Sequence, residues 1–375
     1  MTASPGNIIL ARKVLSVSIV MMEKPLIKNC TIVEMEEFFL SIGEKGYRAK
    51  QLMNWLYEKN IESFQEMTNF SRAMRDRLEA HFDLHALHLS ERHVSAIDGT
   101  EKFLFRTRDG NHIESVLIKN QGTDDGRLTI CLSSQAGCAM GCRFCETAKG
   151  GLVRDLLAAE IVDQVCNVRR ISGLRNNNVV FMGMGEPFMN YGNVLRAADI
   201  MNYDYGFHLS ARKITISTSG LRDGIERFID EKRPYNLAIS LNDTVPEKRA
   251  RIMPVEKMYP FAEISELLER KFPASRNRLT VVYVMRDDNI TMDDARRLKK
   301  LLRSHRIKVN LIPLNEGSHG FMPPSEEDVR RFVGFLEIMN VPVMLRKTFG
   351  SDICGACGQL SGRRKRGPAE KDGSK

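Results

Sequence analysis

Three cysteines lie close together in the middle of the chain, in the stretch SQAGCAMGCRFCE. Cys138, Cys142 and Cys145 are separated by three and then by two residues. Soft thiolates favour iron–sulfur clusters, and three cysteines on a [4Fe-4S] cubane leave its fourth iron open for a substrate or cofactor. A structural zinc site needs a further ligand, for which Cys354 and Cys357 are a candidate half-site. The spacing therefore predicts a [4Fe-4S] cluster on these three cysteines, with zinc as the alternative.

The remaining cysteines allow more than one interpretation. The chain of 375 residues has eight cysteines, clustered in the middle and near the C-terminus, which indicates metal or redox chemistry in a reducing, cytoplasmic compartment. Cys131 precedes Cys138 by seven residues on a predicted strand, where it could be a small buried side chain. Cys354-Gly-Ala-Cys357 could be a redox pair or half of a zinc site. Cys30 and Cys166 follow no such pattern.

Strands and helices alternate from residue 127 to residue 350, which indicates a parallel sheet. Six strand–helix units predict an α/β fold, a partial (β/α)6 TIM-like barrel whose active site lies at the carboxyl ends of the strands. Polar and glycine-rich residues follow five of these strands. They are Ser133–Ser134, Gly183 to Pro187, Ser217 to Gly220, Ser240 to Asn242, and Asn315.

The segments around this barrel have different patterns. Residues 32–84 carry apolar side chains at helical spacing and several basic ones, which predicts a small helical domain that docks RNA. Residues 85–126 alternate around a turn at Asp109-Gly110 and predict a β-ribbon connector. Residues 1–31 are expected to be a disordered leader, or to include a start codon placed too early, with Met21 or Met22 as the real start. Residues 351–362 carry Cys357, and residues 363–375 form a basic tail predicted to be disordered.

The net charge of +9 is compatible with a nucleic-acid partner. No apolar run is long enough to predict a membrane span. The charge alone does not distinguish an RNA-binding protein from other basic proteins, so the functional prediction depends on the motifs.

The spacing CxxxCxxC, with Phe144 before the third cysteine, resembles the radical S-adenosylmethionine superfamily. This resemblance implies that S-adenosylmethionine chelates the open iron and is cleaved to a 5′-deoxyadenosyl radical. The stretch MGMGEP resembles the superfamily loop that contacts the cofactor's amino group, with Gly185 and Glu186 as contacts. A carboxylate opposite an ammonium group is physically reasonable there.

Further features resemble one subfamily, the RlmN/Cfr adenosine methyltransferases, and within it the RlmN branch. These features are Cys131 in CLSSQAGC, Cys357 in GACGQLSG, Glu114 in IESVLI, the stretches ISTSG, ISLN and NLIPLN, and the N-terminal stretch GYRAKQLMNWLYEKN. The resemblance spans about residues 32–362. Cys354 departs from the family pattern; it could form an off-pathway disulfide with Cys357 or compete with Cys131.

The resemblance implies a reaction that uses two molecules of S-adenosylmethionine per turnover. Cys357 takes a methyl group, a radical formed on that methyl group adds to the adenine ring, and Glu114 removes the ring proton. Cys131 then attacks the sulfur of Cys357 and leaves a disulfide, which a thiol reductant must open. The same mapping assigns cofactor contacts to Ser217, Ser240, Leu241, Asn242 and Asn315.

The resemblance implies methylation of carbon 2 of adenosine in 23S rRNA and in tRNA next to the anticodon, hence a role in rRNA and tRNA processing. It also implies an electron donor such as flavodoxin, a cytoplasmic enzyme, no membrane association and a monomer. The same chemistry at carbon 8 is the nearest alternative. Others are a non-catalytic zinc and RNA-binding protein, and a radical enzyme acting on a protein or small molecule. The full N-terminal helical domain favours carbon 2.

Overall fold

The structure, a computed structural model, describes residues 23–119, 126–272, 279–302, 307–315 and 320–362. Most of the predicted leader, up to residue 22, and the whole basic tail lie outside these ranges.

The N-terminal residues form a small helical unit. Its α-helices are α1 (Ile32–Ser41), α2 (Arg48–Met53) and α3 (Arg72–His81). Short 3-10 helices lie at Ile27–Asn29 and Phe64–Glu66, and a π-helical turn at Asn54–Glu58 continues α2. Thr31 caps α1 and exchanges hydrogen bonds with Glu34, so the first turn has its orphan amides satisfied. The apolar side chains at helical spacing, Met35, Phe39, Leu52, Met53 and Leu78, are all buried.

A ten-stranded sheet forms the centre of the described part of the chain. Its strands, in spatial order, are β1 (Leu87–Val94), β2 (Glu101–Thr107), β3 (His112–Lys119), β4 (Leu128–Cys131), β7 (Asn178–Phe181), β8 (Ile214–Thr218), β9 (Asn236–Ser240), β10 (Leu279–Met285), β11 (Lys308–Pro313) and β12 (Val343–Leu345). The strands from β4 onward are parallel, and β1 to β4 pair antiparallel. A separate hairpin joins β5 (Gln135–Gly137) and β6 (Leu152–Asp155).

Helices cover the outside of the parallel strands. They are α4 (Ala158–Ser172), α5 (Tyr191–Asn202), α6 (Arg222–Asp230), α7 (Pro246–Ile252), α8 (Phe261–Lys271), α9 (Met292–Leu302) and α10 (Glu326–Ile338). Further 3-10 helices lie at Glu146–Gly150, Ala211–Lys213 and Pro254–Lys257. Within the described ranges, every helix is too short or too polar to span a lipid bilayer.

The α/β prediction is confirmed, because all six strands expected between residues 127 and 350 form and lie parallel to one another. The turn at Asp109-Gly110 is also confirmed, with Gly110 at a φ of +85° between β2 and β3. The ribbon differs from the expected connector: it has three strands, and β3 pairs with β4 through Val116 opposite Cys131. It therefore extends the barrel sheet, since backbone groups on the edge of β4 bond to a neighbouring strand.

The helical unit packs directly onto the barrel. Lys28 and Asp163 form an ion pair in which both side chains are almost fully buried. Asp163 also accepts hydrogen bonds from the backbone amides of Ala86 (2.8 Å) and Leu87 (3.0 Å). One carboxylate on α4 therefore fixes both the start of the helical unit and the start of β1, and a buried charge with these partners has its desolvation compensated.

Candidate active site

The loop that carries the three cysteines leaves β5 and doubles back toward β6. The amide of Cys138 donates to the carbonyl of Gly151 over 2.8 Å, which closes the loop at its base. Gly137 has a φ of +79°, and a Cβ there would lie 2.0 Å from the carbonyl oxygen of Gly151. Only glycine fits this position, so the β5–β6 hairpin holds Cys138, Cys142 and Cys145 on one short arc.

The three thiols of this loop share one small region. Burial raises the pKa of Cys138 to about 11 and the pKa of Cys142 further, and the charges of Cys138 and Cys145 add to the rise at Cys142. Thiols in this state are poor ligands until a metal displaces their protons. Among the described residues, no group of three or more His, Cys, Asp or Glu side chains could hold a single metal ion. Three thiolates on one loop are a donor set that suits a [4Fe-4S] cubane, in which each thiolate would bind one of three irons.

The loop after β7 interlocks with the loop after β4. Gly183 donates its amide to the carbonyl of Leu132 (3.0 Å), and Ser134 donates to the carbonyl of Met184 (2.8 Å). Gly185 has a φ of +99°, and a Cβ there would lie 2.5 Å from Cβ of Gln135. The MGMGEP stretch thus approaches the start of the cysteine loop closely at Gly185, which has no side chain.

Glu186 is buried at the same place, and its carboxylate already has partners. It accepts hydrogen bonds from the amides of Ser219 (2.7 Å) and Phe188 (3.0 Å), so it joins the loops after β7 and β8. Burial raises its pKa, and its charge raises those of Cys138 and Cys142, which places it next to the cysteine loop. Its predicted contact with an amino group stays a prediction.

We expect Gly185→Ala to weaken binding of S-adenosylmethionine by about tenfold or more, because the new methyl group has no room and the φ disfavours it. Isothermal titration with the reconstituted protein measures the affinity. Gly192→Ala is the control, since Gly192 lies on α5 and a Cβ there meets nothing within 4 Å. Equal affinities in both variants would contradict this placement of the cofactor loop.

The other predicted cofactor contacts lie at the ends of β8 and β9. Ser217 pairs with Ala238 and Ser240 with Val282, and both serines are half-buried on the inner face of the sheet. Asn242 follows with a φ of +60°, and its side chain accepts a hydrogen bond from the amide of Val284 (3.0 Å).

Leu241 differs from its neighbours, because its side chain is fully buried in the main hydrophobic core. Its carbonyl accepts a hydrogen bond from Nε of Arg249 over 2.9 Å. Its amide donates to the carbonyl of Val282 over 2.9 Å, so both backbone polar groups of Leu241 have protein partners, and its predicted contact with the cofactor stays a prediction.

Asn315 lies apart from this group, in a cleft that also contains Cys131 and Cys357. Its Nδ2 donates to the carbonyl of Cys357 over 3.1 Å. Burial, followed by the charge of Cys357, raises the pKa of Cys131 to about 12, and the charge of Arg346 opposes this rise. Cys357 is exposed, so the cleft combines one accessible and one buried thiol.

The segment that carries Cys357 lies across the cysteine loop. Gly358 accepts a hydrogen bond from the amide of Glu146 (2.8 Å), and the hydroxyl of Thr147 donates to the carbonyl of Leu360 (2.6 Å). Glu114, buried on β3, accepts from the amides that follow, those of Ser361 (2.7 Å) and Gly362 (3.0 Å). The three predicted catalytic residues and the cluster loop are thus joined through one short C-terminal segment.

Known protein families match two parts of the chain. The family described as the ribosomal RNA large subunit methyltransferase N-terminal domain matches residues 27–84, and the radical SAM superfamily matches residues 132–309. The dual-specificity RNA methyltransferase RlmN of Geotalea uraniireducens is 45% identical over 345 residues, which cover 91% of this chain and 98% of the relative. RlmN of Geobacter sulfurreducens is 44% identical, with coverages of 90% and 92%. The chain belongs to the RlmN family.

A solved structure supports this membership. A radical SAM methyltransferase from Sphaerobacter thermophilus superposes with a TM-score of 0.82 at 36% identity, covering 90% of this chain and all of that one. The protein is therefore a radical S-adenosylmethionine methyltransferase, and membership of this superfamily implies a [4Fe-4S] cluster and S-adenosylmethionine as cofactors.

Sequence reasoning missed three cationic side chains that this RlmN family member places at the site. Arg346 lines the cleft and lies 3.7 Å from the sulfur of Met182. Arg249 is buried and donates to the carbonyls of Ser219 (2.9 Å) and Ser240 (3.0 Å), so it fixes two strand ends. Lys102 pairs with Glu114. None of them belongs to a local motif, so a single sequence carries no signal for them.

Proposed function

We propose that the protein methylates carbon 2 of adenosine in 23S rRNA and in tRNA next to the anticodon. This proposal rests on the cleft that Cys131 and Cys357 share. The segment that carries Cys357 also crosses the cysteine loop. A radical enzyme that only generates the 5′-deoxyadenosyl radical at its cluster does not need two further thiols beside that cluster. The RlmN relatives are named as dual-specificity RNA methyltransferases, and the net charge of +9 suits an RNA substrate.

The cofactor residues fit this role. Cys138, Cys142 and Cys145 would hold the [4Fe-4S] cluster, and Gly185, Glu186, Ser217, Ser240, Leu241, Asn242 and Asn315 would contact S-adenosylmethionine. Bound together, the two groups supply a radical able to remove a hydrogen atom from an S-methyl group. The loops after β4 and β7, joined by hydrogen bonds around Gly183 and Met184, would position the cofactor beside the cysteine loop.

The remaining residues act on the methyl group and the base. The Cys357 sulfur forms a bond to the methyl carbon of one S-adenosylmethionine, and S-adenosylhomocysteine leaves. After the methylene has bonded to carbon 2, the adduct loses its unpaired electron, for which the cluster would be the acceptor, and Glu114 takes the ring proton. The Cys131 thiolate then attacks the Cys357 sulfur, the sulfur–methylene bond breaks, and the leaving carbon takes up a proton to complete the methyl group. The methylated base is released, and a thiol reductant supplies the electron pair that opens the Cys131–Cys357 disulfide.

The reaction needs an electron donor and a reducing compartment. The enzyme works in the cytoplasm as a monomer and receives electrons from a donor such as flavodoxin. The cytoplasm keeps thiols reduced, which suits a catalytic cycle that must open a disulfide at every turnover.

Digestion of RNA modified by the reconstituted enzyme tests the proposal. We expect 2-methyladenosine in both 23S rRNA and tRNA substrates, identified by mass and retention time against synthetic standards. RNA from a reaction with Cys357→Ala is the control and should contain none. A product of 8-methyladenosine would overturn the assignment to carbon 2, and a colourless, zinc-containing protein without any product would overturn the catalytic function.

A further inference from the structure

One ion pair contacts the C-terminal segment on both sides of Cys357. Lys102 on β2 and Glu114 on β3 are 5% and 1% exposed, and their Nζ and Oε1 atoms are 3.1 Å apart. Lys102 also reaches the carbonyl of Cys354 at 3.5 Å, which lies before Cys357. Glu114 Oε2 holds the amides of Ser361 and Gly362 after it.

These contacts use both oxygens of the Glu114 carboxylate. Oε1 accepts from an ammonium group, and Oε2 accepts from two amides at 2.7 and 3.0 Å. A general base must approach the proton that it removes to hydrogen-bond distance. In this conformation Glu114 acts as an anchor for the segment, because three protein donors occupy most of the roughly four lone-pair sites of its carboxylate.

The end of the segment is fitted closely to this anchor. Gly362 has a φ of +66°, and a Cβ there would lie 2.8 Å from the carbonyl oxygen of His112 and from Cε of Met184. Two acidic side chains hold the start of the segment: Asp98 accepts from the amide of Gly350 (2.8 Å), and Asp352 accepts from the amide of Ala96 (3.0 Å). The ribbon β1–β3 therefore holds the whole segment against the barrel.

We propose that Lys102 is a positioning residue, and that the Lys102–Glu114 pair clamps residues 354–362 so that Cys357 faces the methyl donor. Oε2 of Glu114 becomes free to accept the ring proton when the amides of Ser361 and Gly362 leave it. The clamp itself follows from the contacts above, while the role of Glu114 as the base rests on the proposed function. Entry of the adenosine and release of the segment are then coupled through one carboxylate.

Hydrogen–deuterium exchange of the peptide that contains Ser361 and Gly362 tests the clamp without RNA or turnover. In Lys102→Met we expect these two amides to exchange about tenfold faster or more. This factor corresponds to the loss of one charge-assisted hydrogen bond. Lys102→Arg should stay close to the wild type, because it keeps a cation beside Glu114. Lys119→Met is the matched control: Lys119 pairs with Glu101 at 2.7 Å on the same ribbon and should leave the exchange unchanged.

Two further readouts separate positioning from general destabilisation. Lys102→Met should keep the iron content of the wild type but lose about tenfold or more of the methyl group carried by Cys357. Ser361→Pro keeps both charges and deletes one amide donor, so the remaining amide of Gly362 should exchange faster in this variant, which serves if Lys102→Met does not fold.

Unchanged exchange in Lys102→Met or Ser361→Pro would overturn the clamp, and so would equal acceleration in Lys119→Met. Failure of the proposed function has a different signature: a wild-type protein whose peptide is protected from exchange but whose Cys357 never carries a methyl group.

Discussion

Alanine at Cys138, Cys142 or Cys145 is expected to abolish both cluster binding and RNA methylation. Each thiolate binds one iron of a cubane to the protein. The three cysteines lie on one loop, which the Cys138–Gly151 hydrogen bond closes at its base. Loss of one ligand leaves two irons without protein contacts, so the cluster should not survive purification. Iron and sulfide per chain, visible absorption and methyl transfer to RNA measure the effect.

Cys30→Ala provides the matched control for these variants. Cys30 is half-buried at the start of the helical unit, where Glu34 and Arg196 are its charged neighbours. It should keep the wild-type iron content and activity. Retained iron and turnover in all three loop variants would overturn the cluster assignment.

Cys131→Ala is expected to stop the reaction at a covalent protein–RNA adduct. Cys131 shares the cleft with Cys357, and removal of its sulfur leaves no attacking thiol at that position. The adduct should persist in denaturing gels, and nuclease digestion should leave a modified nucleoside on the peptide that carries Cys357. We expect a loss of multiple turnover of at least about a thousandfold, as for removal of a covalent catalytic group.

Two further variants define which thiol resolves the adduct. The double variant with Cys131→Ala and Cys357→Ala should form no adduct, because the methyl acceptor is gone. Cys354→Ala should turn over, although Cys354 lies three residues before Cys357 with a φ of +51°. Normal turnover by Cys131→Ala together with an adduct in Cys354→Ala would transfer the resolving role to Cys354.

The parallel strands were predictable because each is a short apolar run bounded by polar or glycine residues. The β5–β6 hairpin was not, since the β6 residues Leu152–Asp155 are few, partly charged and mostly exposed. The pairing of β3 with β4 was also beyond local patterns, because it joins strands on either side of residues 120–125.

The proximity of Cys138, Cys142 and Cys145 was predictable from their spacing, since the three are local in sequence, and their role as cluster ligands stays a prediction. Cys131 and Cys357 are more than two hundred residues apart, and only the family resemblance suggested that they meet. Successive side chains on a strand point to opposite faces. This alternation explains why the side chain of Leu241 is buried in the core while that of Ser240 lies on the inner face of the sheet. Lys102, on β2, and Arg346, directly after β12, required the three-dimensional structure, because a lone basic residue usually faces solvent.

In the proposed reaction, Cys357 carries the methyl group before RNA does. Peptide mass spectrometry of protein exposed to S-adenosylmethionine with a labelled methyl group follows this order of transfer. We predict one labelled methyl group on Cys357, none on Cys131 or Cys354, and transfer of that label to adenosine when RNA is added. Labelled RNA from a protein whose Cys357 stays unmethylated throughout would contradict Cys357 as the methyl carrier.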